Sequence, residues 1–391
     1  MMPDQGCFKK PAIAFSYWIG EQDLQVQPET GIWHDAFPIH PDPNSIQSPV
    51  TYGDYFKAVQ VFLEQDDGIC LQHAIDRLFE NAATLRDTDR IAIRLIKHGE
   101  FYHPGRIDIC LNGIVLSFLV NVALSKSGMV TAENEFELLN RLKQTGCGLY
   151  LPEVIDLKKN RLASGLDVWI FSAQWLDGFH EWHISRNPDD GNQRIVVWNA
   201  KNENQWLSRN QTDLLYRKIA EILTCFYQPG TGDQIFPWHH AAGDFIIRIK
   251  EDRVDVRLVT IRQYGSMLDL VIDGPEDVFL SVMLFLCNLS IRTRLDRVDG
   301  TGDYVWADSA VVRATVAGFM DGLMKKEPFR NFSKSPAACF LDYAHTVTHD
   351  DVHQLCTAVV NAYNPNAPEM AIIHYGLPAH SESLYQALLD L

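Results

Sequence analysis

Between Ile91 and Leu124 the chain carries three runs with strand periodicity, RIAIRLIKHG, RIDICL and IVLSFLVNVAL, and this stretch constrains the fold more than any other. The Asn112–Gly113 pair between the last two runs is the strongest short hairpin signal, because both central residues of a tight type I′ turn need positive φ. Between the first two, FYHPGR predicts a turn built around Pro104 and Gly105. A three-stranded antiparallel meander follows from this spacing. Thr131–Leu142 (TAENEFELLNRL) then predicts a helix with Phe136, Leu139 and Leu142 on one face and acidic residues in its first turn. Two more extended pieces, LPEVIDL and DVWIFSAQWL, come next. The expectation is five strands with one helix inserted after the third.

Beyond Gly178 helical patterns dominate. Leu207–Tyr227 opens on Ser208 with Gln211 three residues later, a capping box, and spaces Leu215, Ile219, Ile222 and Phe226 by four, three and four. Pro229–Gly230 stops it. PWHHAAGDF follows at Pro237–Phe245, then a hairpin of FIIRI, the turn KEDR and VDVRLVTI. Val278–Ile291 is apolar all round and predicts a buried helix, and Ser309–Met324 predicts another. Ahead of the strands, Tyr52–Arg86 has helical spacing, whereas residues 1–50 are rich in proline and aspartate, lack a period and are expected to wrap the surface. The expected division is an N-terminal extension with a helical segment over 1–90, a small β-rich lobe over 91–176 and a helical lobe over 177–391.

Composition narrows the function classes. The chain has 391 residues, 46% of them hydrophobic and 21% charged, enough for a substantial core and about two domains. Its 34 Lys and Arg against 50 Asp and Glu leave a net charge of −16. That acidic field repels phosphate backbones and anionic lipid, so no nucleic acid and no membrane are expected as partners. The eight cysteines include no CxxC pair, and Cys225 and Cys287 sit inside apolar runs, the usage of free thiols in a reducing compartment. With no secretory signal, a cytoplasmic location is expected.

The order of these elements resembles the protein-kinase-like fold, in particular the aminoglycoside-phosphotransferase and choline-kinase branch, over about Arg90 to Leu323. FLVNVA resembles the family's third strand, with Asn121 where a lysine usually grips nucleotide phosphates. NEFELLNRL resembles the helix whose glutamate pairs that lysine, which makes Glu135 the counterpart. QWLDG resembles the hinge that holds adenine, through Gln174, Trp175 and Leu176. HHAAGDFIIR resembles the catalytic loop; aligning Gly243–Asp244 with the family's Gly-Asn pair puts His239 where the catalytic aspartate stands. RQYG, Arg262–Gly265, resembles the metal-binding segment, with Gln263 in place of its aspartate. The resemblance implies an α+β, two-lobed kinase-like fold: a five-stranded antiparallel lobe with one helix, and a mainly helical lobe.

The departures bear on activity. Phosphoryl transfer depends on positioning and on charge neutralisation by lysine and magnesium. Asparagine at 121 removes the cation, and glutamine at 263 is a poor magnesium ligand beside a carboxylate. Each loss removes roughly several kcal/mol of transition-state stabilisation. The first functional reading is therefore a phosphotransferase-related protein with a degenerate catalytic set, a pseudokinase binding a nucleotide or small molecule at the interlobe cleft, with a protein partner as a further option. The alternative is an active ATP- and magnesium-dependent small-molecule phosphotransferase with His239 as base, Asp244 on the metal and Glu135 positioning. A third is a transition-metal enzyme built on His180, His183, His239 and Asp244.

Several clusters carry two readings each. His239, His240 and Asp244 form either a base–carboxylate site or a tight loop whose histidines bond backbone carbonyls and pack on Trp238. FHEWH places His180 and His183 three apart, one helical turn and a metal pair, or else an aromatic connector. HDDVH puts His349 and His353 four apart, a metal-ligating spacing, or else a solvated helix start with acidic residues on the dipole. Arg292, Arg294, Asp296 and Arg297 bind an anion or tie the helical lobe together with salt bridges. DGTG is a weak glycine signal, and nothing matches a P-loop or a Rossmann fingerprint.

Overall fold

The computed structural model describes the chain except residues 1–12, 21–23, 40–49, 80–87, 189, 199–203, 241–242, 269 and 328–333. Cys7, most of the proline- and aspartate-rich segment, and Ala241 and Ala242 of the histidine loop lie outside the described residues. The chain divides into two units, Met1–Asn140 with Pro152–Leu176 and Arg141–Leu151 with Asp177–Leu391.

The first unit contains β1 (Ala14–Ile19), β2 (Leu24–Val26), α1 (Tyr52–Leu78), β3 (Thr88–Leu95), β4 (His103–Leu111), β5 (Ile114–Ala123), most of α2 (Lys126–Lys143), β6 (Val154–Arg161) and β7 (Asp167–Gln174). They build one seven-stranded sheet in the order β2-β1-β3-β4-β5-β7-β6. The meander is β3-β4-β5, antiparallel throughout, with Ile107 paired to both Ile93 and Phe118. Asn112 and Gly113 take φ of 50° and 83° in the tight turn, the backbone that sequence pair favours. α2 follows the third of these strands, and β6 and β7 complete the five.

Two features differ from the sequence expectation. The sheet is mixed, not antiparallel, because β1 pairs in parallel with β3, Tyr17 opposite Ile93. Parallel neighbours need a long crossover, here the segment carrying α1, so no local turn signal announces the pair. As a result Tyr17, Val26, Trp33 and Phe37 join the core instead of wrapping the surface. Second, Pro104 and Gly105 lie inside β4 and the turn falls earlier, between Leu95 and His103. Proline is tolerated there as the strand's second residue, where its carbonyl accepts the Ile96 N–H at 3.0 Å.

α1 is capped by a reciprocal Thr51–Asp54 box and broken at Gln65–Gly68, where Asp66, Asp67 and Gly68 have positive φ. On either side of the break it buries Phe56, Val59, Phe62, Leu71 and Ile75 with Ile91, Ile93, Ile109, Phe118 and Val120 of the sheet. Full burial of each such side chain contributes about 1.5–3 kcal/mol before entropy is charged.

The second unit includes a three-stranded sheet, β8 (Trp182–Arg186), β9 (Gln193–Val197) and β10 (Gln205–Trp206). α3 (Arg209–Phe226) then starts on the Ser208–Gln211 capping box. β11 (Asp233–Ile235) pairs later with β14 (Tyr264–Ser266); between them stands the hairpin of β12 (Phe245–Lys250) and β13 (Arg253–Leu258). The remaining elements are α4 (Pro275–Thr293), the paired β15 (Leu295–Arg297) and β16 (Tyr304–Trp306), α5 (Ala310–Met324), α6 (Pro336–Ala344), α7 (His349–Asn361) and α8 (Met370–Leu389). α4 is buried without interruption from Ser281 to Thr293. α5 approaches α3 so closely at Gly318 that a Cβ there would fall 1.9 Å from the Arg217 carbonyl oxygen, so only glycine permits the contact. Among the described residues no helix is long and apolar enough to cross a membrane.

Candidate functional site

The histidine loop enters from β11 and leaves into β12, so two paired strands hold its ends. Asp244, the last residue before β12, is fully buried. Its Oδ2 accepts the backbone N–H of His239 at 2.8 Å and Nη1 of Arg262 at 2.5 Å. One carboxylate oxygen therefore closes the loop on itself and anchors the strand-to-strand segment after β13.

A second guanidinium meets the loop from α4. Arg292 donates from Nη2 to Nδ1 of His239 at 2.7 Å and from Nη1 to Oε1 of Glu369 at 3.0 Å. Phe236 and Tyr363 flank the same guanidinium, with ring centroids 5.8 and 5.6 Å away. Arg262 with Asp244 and Arg292 with Glu369 thus form two ion pairs around His239 whose charges compensate. Buried pairs of this kind are costly to break, because removing one partner strands the other charge.

This geometry sets the state of both histidines. Nδ1 of His239 accepts from a guanidinium, so the ring is neutral and its proton sits on Nε2. Burial, with Arg292, Arg262 and His240 adding, pushes its pKa down to about 3. A base that weak is poorly matched to proton abstraction near neutral pH. His240 is fully inside. It donates from Nε2 to the Thr293 carbonyl at 3.0 Å and packs among Trp182, Tyr216, Trp238 and Phe245. Burial brings its pKa to about 4, against the opposing influence of Asp296. These are the contacts of a core histidine.

Arg262 and the His239 N–H both bind Oδ2 of Asp244, the carboxylate on which the metal role was expected. His180 and His183 do not form a helical pair. His180 bridges to Ile247 in an extended segment, and His183 lies in β8, where residues three apart point to opposite faces. His183 is buried against Trp198 with Asp296 Oδ1 at 3.8 Å from its Nδ1. His349 and His353 do sit at the start of α7 behind a Thr348–Asp351 capping box, but His349 faces Glu382 and His353 faces Ser381. Among the described residues no group of three or more His, Cys, Asp or Glu is arranged to hold a metal ion.

In the first unit Asn121 is buried in β5, opposite Pro104 and Phe171. Glu135 is buried on α2 and accepts the Tyr102 hydroxyl at 2.5 Å. The glutamate that the resemblance pairs with a lysine is thus held by a phenol from the β3–β4 connection. Gln174 ends β7 and exchanges hydrogen bonds with Glu153, while Trp175 lies under the Arg106 guanidinium at 5.2 Å. Leu176 is half-buried and Gln263 exposed. The charged run after α4 behaves as an internal tie. Arg294 donates to the Ala307 carbonyl and faces His380 and Trp306, Asp296 accepts the Ile184 and Arg297 N–H groups, and Arg297 donates to the Thr301 and Gly302 carbonyls.

Sequence reasoning missed the partners of this site. Phe236, Tyr363 and Glu369 carry no motif, and Glu369 stands 77 positions from Arg292, so only the folded chain joins them.

No family model matches the chain, and no curated protein matches it. Among solved structures, the chain is similar to one described as WaaP in complex with acyl carrier protein. The identity is 8%, the match covers 69% of this chain and 88% of that chain, and the TM-score is 0.32.

Proposed function

We propose that this chain is a kinase-like, phosphotransferase-related protein with a degenerate catalytic set, which binds a nucleotide or a small molecule without transferring phosphate. The observation that carries the reading is the element order of the strand-rich unit, β3, β4 and β5, then α2, then β6 and β7, on which the resemblance rests. Within that order, Asn121 supplies no cation and Glu135 is bonded to Tyr102. Asp244 is paired with Arg262, and Gln263 offers an amide in place of a carboxylate. Asn121, Glu135, Gln174, Trp175 and Leu176 of the strand-rich unit are the residues assigned to ligand binding there. Reading the chain as an active enzyme that uses His239 and Asp244 gains nothing from a buried, neutral imidazole and a carboxylate whose Oδ2 is paired with Arg262. The metal-dependent reading gains nothing from His180 and His183 on an extended segment.

A thermal-melt series with ATP, ADP and GTP tests the proposal. A ligand at 100 times its Kd stabilises the folded state by about 2.7 kcal/mol, enough for a clear shift in Tm. The expected result is a nucleotide-dependent rise with no ADP formed from ATP on prolonged incubation. Steady ADP production that is lost in Asp244→Asn would overturn the degenerate assignment.

A further inference from the structure

Side chains alternate across a strand. Ile91, Ile93, Ile107 and Ile109 pack with α1, so Arg94 of β3, Arg106 and Asp108 of β4 and Ser117 of β5 lie on the opposite face of the sheet. The register brings them together, with Arg94 across from Arg106 and Asp108 across from Ser117. Asn121 is on the same face of β5. One carboxylate ties the group. Oδ2 of Asp108 accepts Nε of Arg94 at 3.0 Å, and its Oδ1 accepts Nε of Arg106 and the Ser117 hydroxyl, both at 2.6 Å. Nη2 of Arg106 donates to Ser117 Oγ at 3.0 Å.

Each guanidinium also lies over an indole, Arg94 over Trp18 at 4.8 Å and Arg106 over Trp175 at 5.2 Å. Stacking fixes the plane of a guanidinium, which presents its donors as a rigid fork. Two features set this group apart from a closed salt-bridge ladder. First, two positive charges share one negative charge, which leaves a local surplus of positive charge in a chain of net charge −16. Both arginines are reachable, with side-chain exposures of 22% and 31%. Second, the Nε1–H of Trp175 is shielded from solvent and has no acceptor among the described residues. A buried donor of this kind needs a partner. The surplus cation and the indole N–H both call for an oxyanion, and the arginine fork matches phosphate oxygens.

We propose that Arg94, Arg106 and the Trp175 N–H form a phosphate subsite, supplying from β3 and β4 the cation that Asn121 does not supply from β5. The inference rests on the ligand-binding reading of the strand-rich unit and gives that ligand a class: a nucleotide or another phosphorylated small molecule, held by its phosphate oxygens. Asp108 orients both guanidiniums, and its own charge opposes the ligand.

The test titrates the full-length protein calorimetrically with ATP and with tripolyphosphate at fixed ionic strength. Both are expected to bind and to compete with each other. Arg106→Gln should weaken both by about tenfold, the loss of one charge-assisted hydrogen bond. Asp108→Asn removes the opposing charge and should tighten both. A damaged fold only weakens binding, so that tightening decides the matter even if Arg106→Gln does not fold. ATP affinity unchanged in Arg106→Gln and Asp108→Asn would overturn the subsite and leave the nucleotide reading standing. If ATP does not bind the wild-type protein, the nucleotide reading fails and tripolyphosphate alone decides the subsite. Binding of tripolyphosphate that Arg106→Gln weakens and Asp108→Asn tightens would sustain it, and no binding would overturn it.

Discussion

Arg262 Nη1 lies 2.5 Å from Oδ2 of a fully buried Asp244, and the same oxygen accepts the His239 backbone N–H. The pairing makes Asp244 an anchor of the loop. Breaking such a pair from one side leaves a buried charge with its main partner gone. Arg262→Ala is therefore expected to cost about 3 kcal/mol of stability by the scale for buried pairs, measured as a shift in the urea midpoint. Asp244→Asn with Arg262→Met should recover part of that loss, because it removes both charges together. A change within the scatter of surface substitutions in Arg262→Ala would mean that the pair does not hold the loop.

Acid should loosen the helical unit through its buried histidines. Burial, the largest cause for each, lowers His239 to about 3, His240 to about 4 and His380 to about 3, from 6.5. The sign follows from the depressed folded values. As pH falls below 6.5 the unfolded chain takes up these protons first, so stability is present above that value and is lost toward pH 3 to 4. Each histidine contributes a slope of about 1.4 kcal/mol per pH unit within that window. Urea unfolding at pH 7, 6 and 5 should show a steep decline, and His240→Gln, if folded, should lower the slope by one proton's worth. Flat stability across that range would contradict the buried, neutral assignment.

Tyr102 is expected to matter more than its loop position suggests. Its hydroxyl donates to the buried Glu135 carboxylate, and a hydrogen bond to a charged group contributes about 1.5–3 kcal/mol. Tyr102→Phe should fall near the lower end of that range because Tyr102 itself is only partly buried. Denaturation of the variant with nucleotide present and absent separates a structural tie from a ligand contact. Loss of stability alone marks a tie, whereas loss of the nucleotide-induced gain marks a contact.

What the sequence revealed follows the range of its signals. The Asn112–Gly113 turn, the Ser208–Gln211 box and the helix through Val278–Ile291 are local, and each appears where its residues demand. AFSYWI at Ala14–Ile19 was too short to distinguish from a surface segment, and its parallel pairing with β3 depends on residues some 76 positions away. FHEWH fits helix by spacing, yet the run is extended because His180 and Ile247 exchange backbone hydrogen bonds at 2.8 and 2.9 Å. In the candidate site, the clustering of His239 and Asp244 was legible and the groups paired with them were not. Glu369, Arg262 and Arg292 fix the charge and protonation around the loop, and nothing near Pro237–Phe245 encodes them.

Calorimetric titration of the metal-analysed protein with ATP, with and without magnesium, tests the central claim most directly. With Arg262 on Asp244 and an amide at Gln263, the account predicts nucleotide binding whose affinity magnesium does not strengthen, with no turnover during the titration. Binding tightened by magnesium and accompanied by ADP formation would contradict the degenerate set, and no binding in either buffer would contradict the nucleotide assignment.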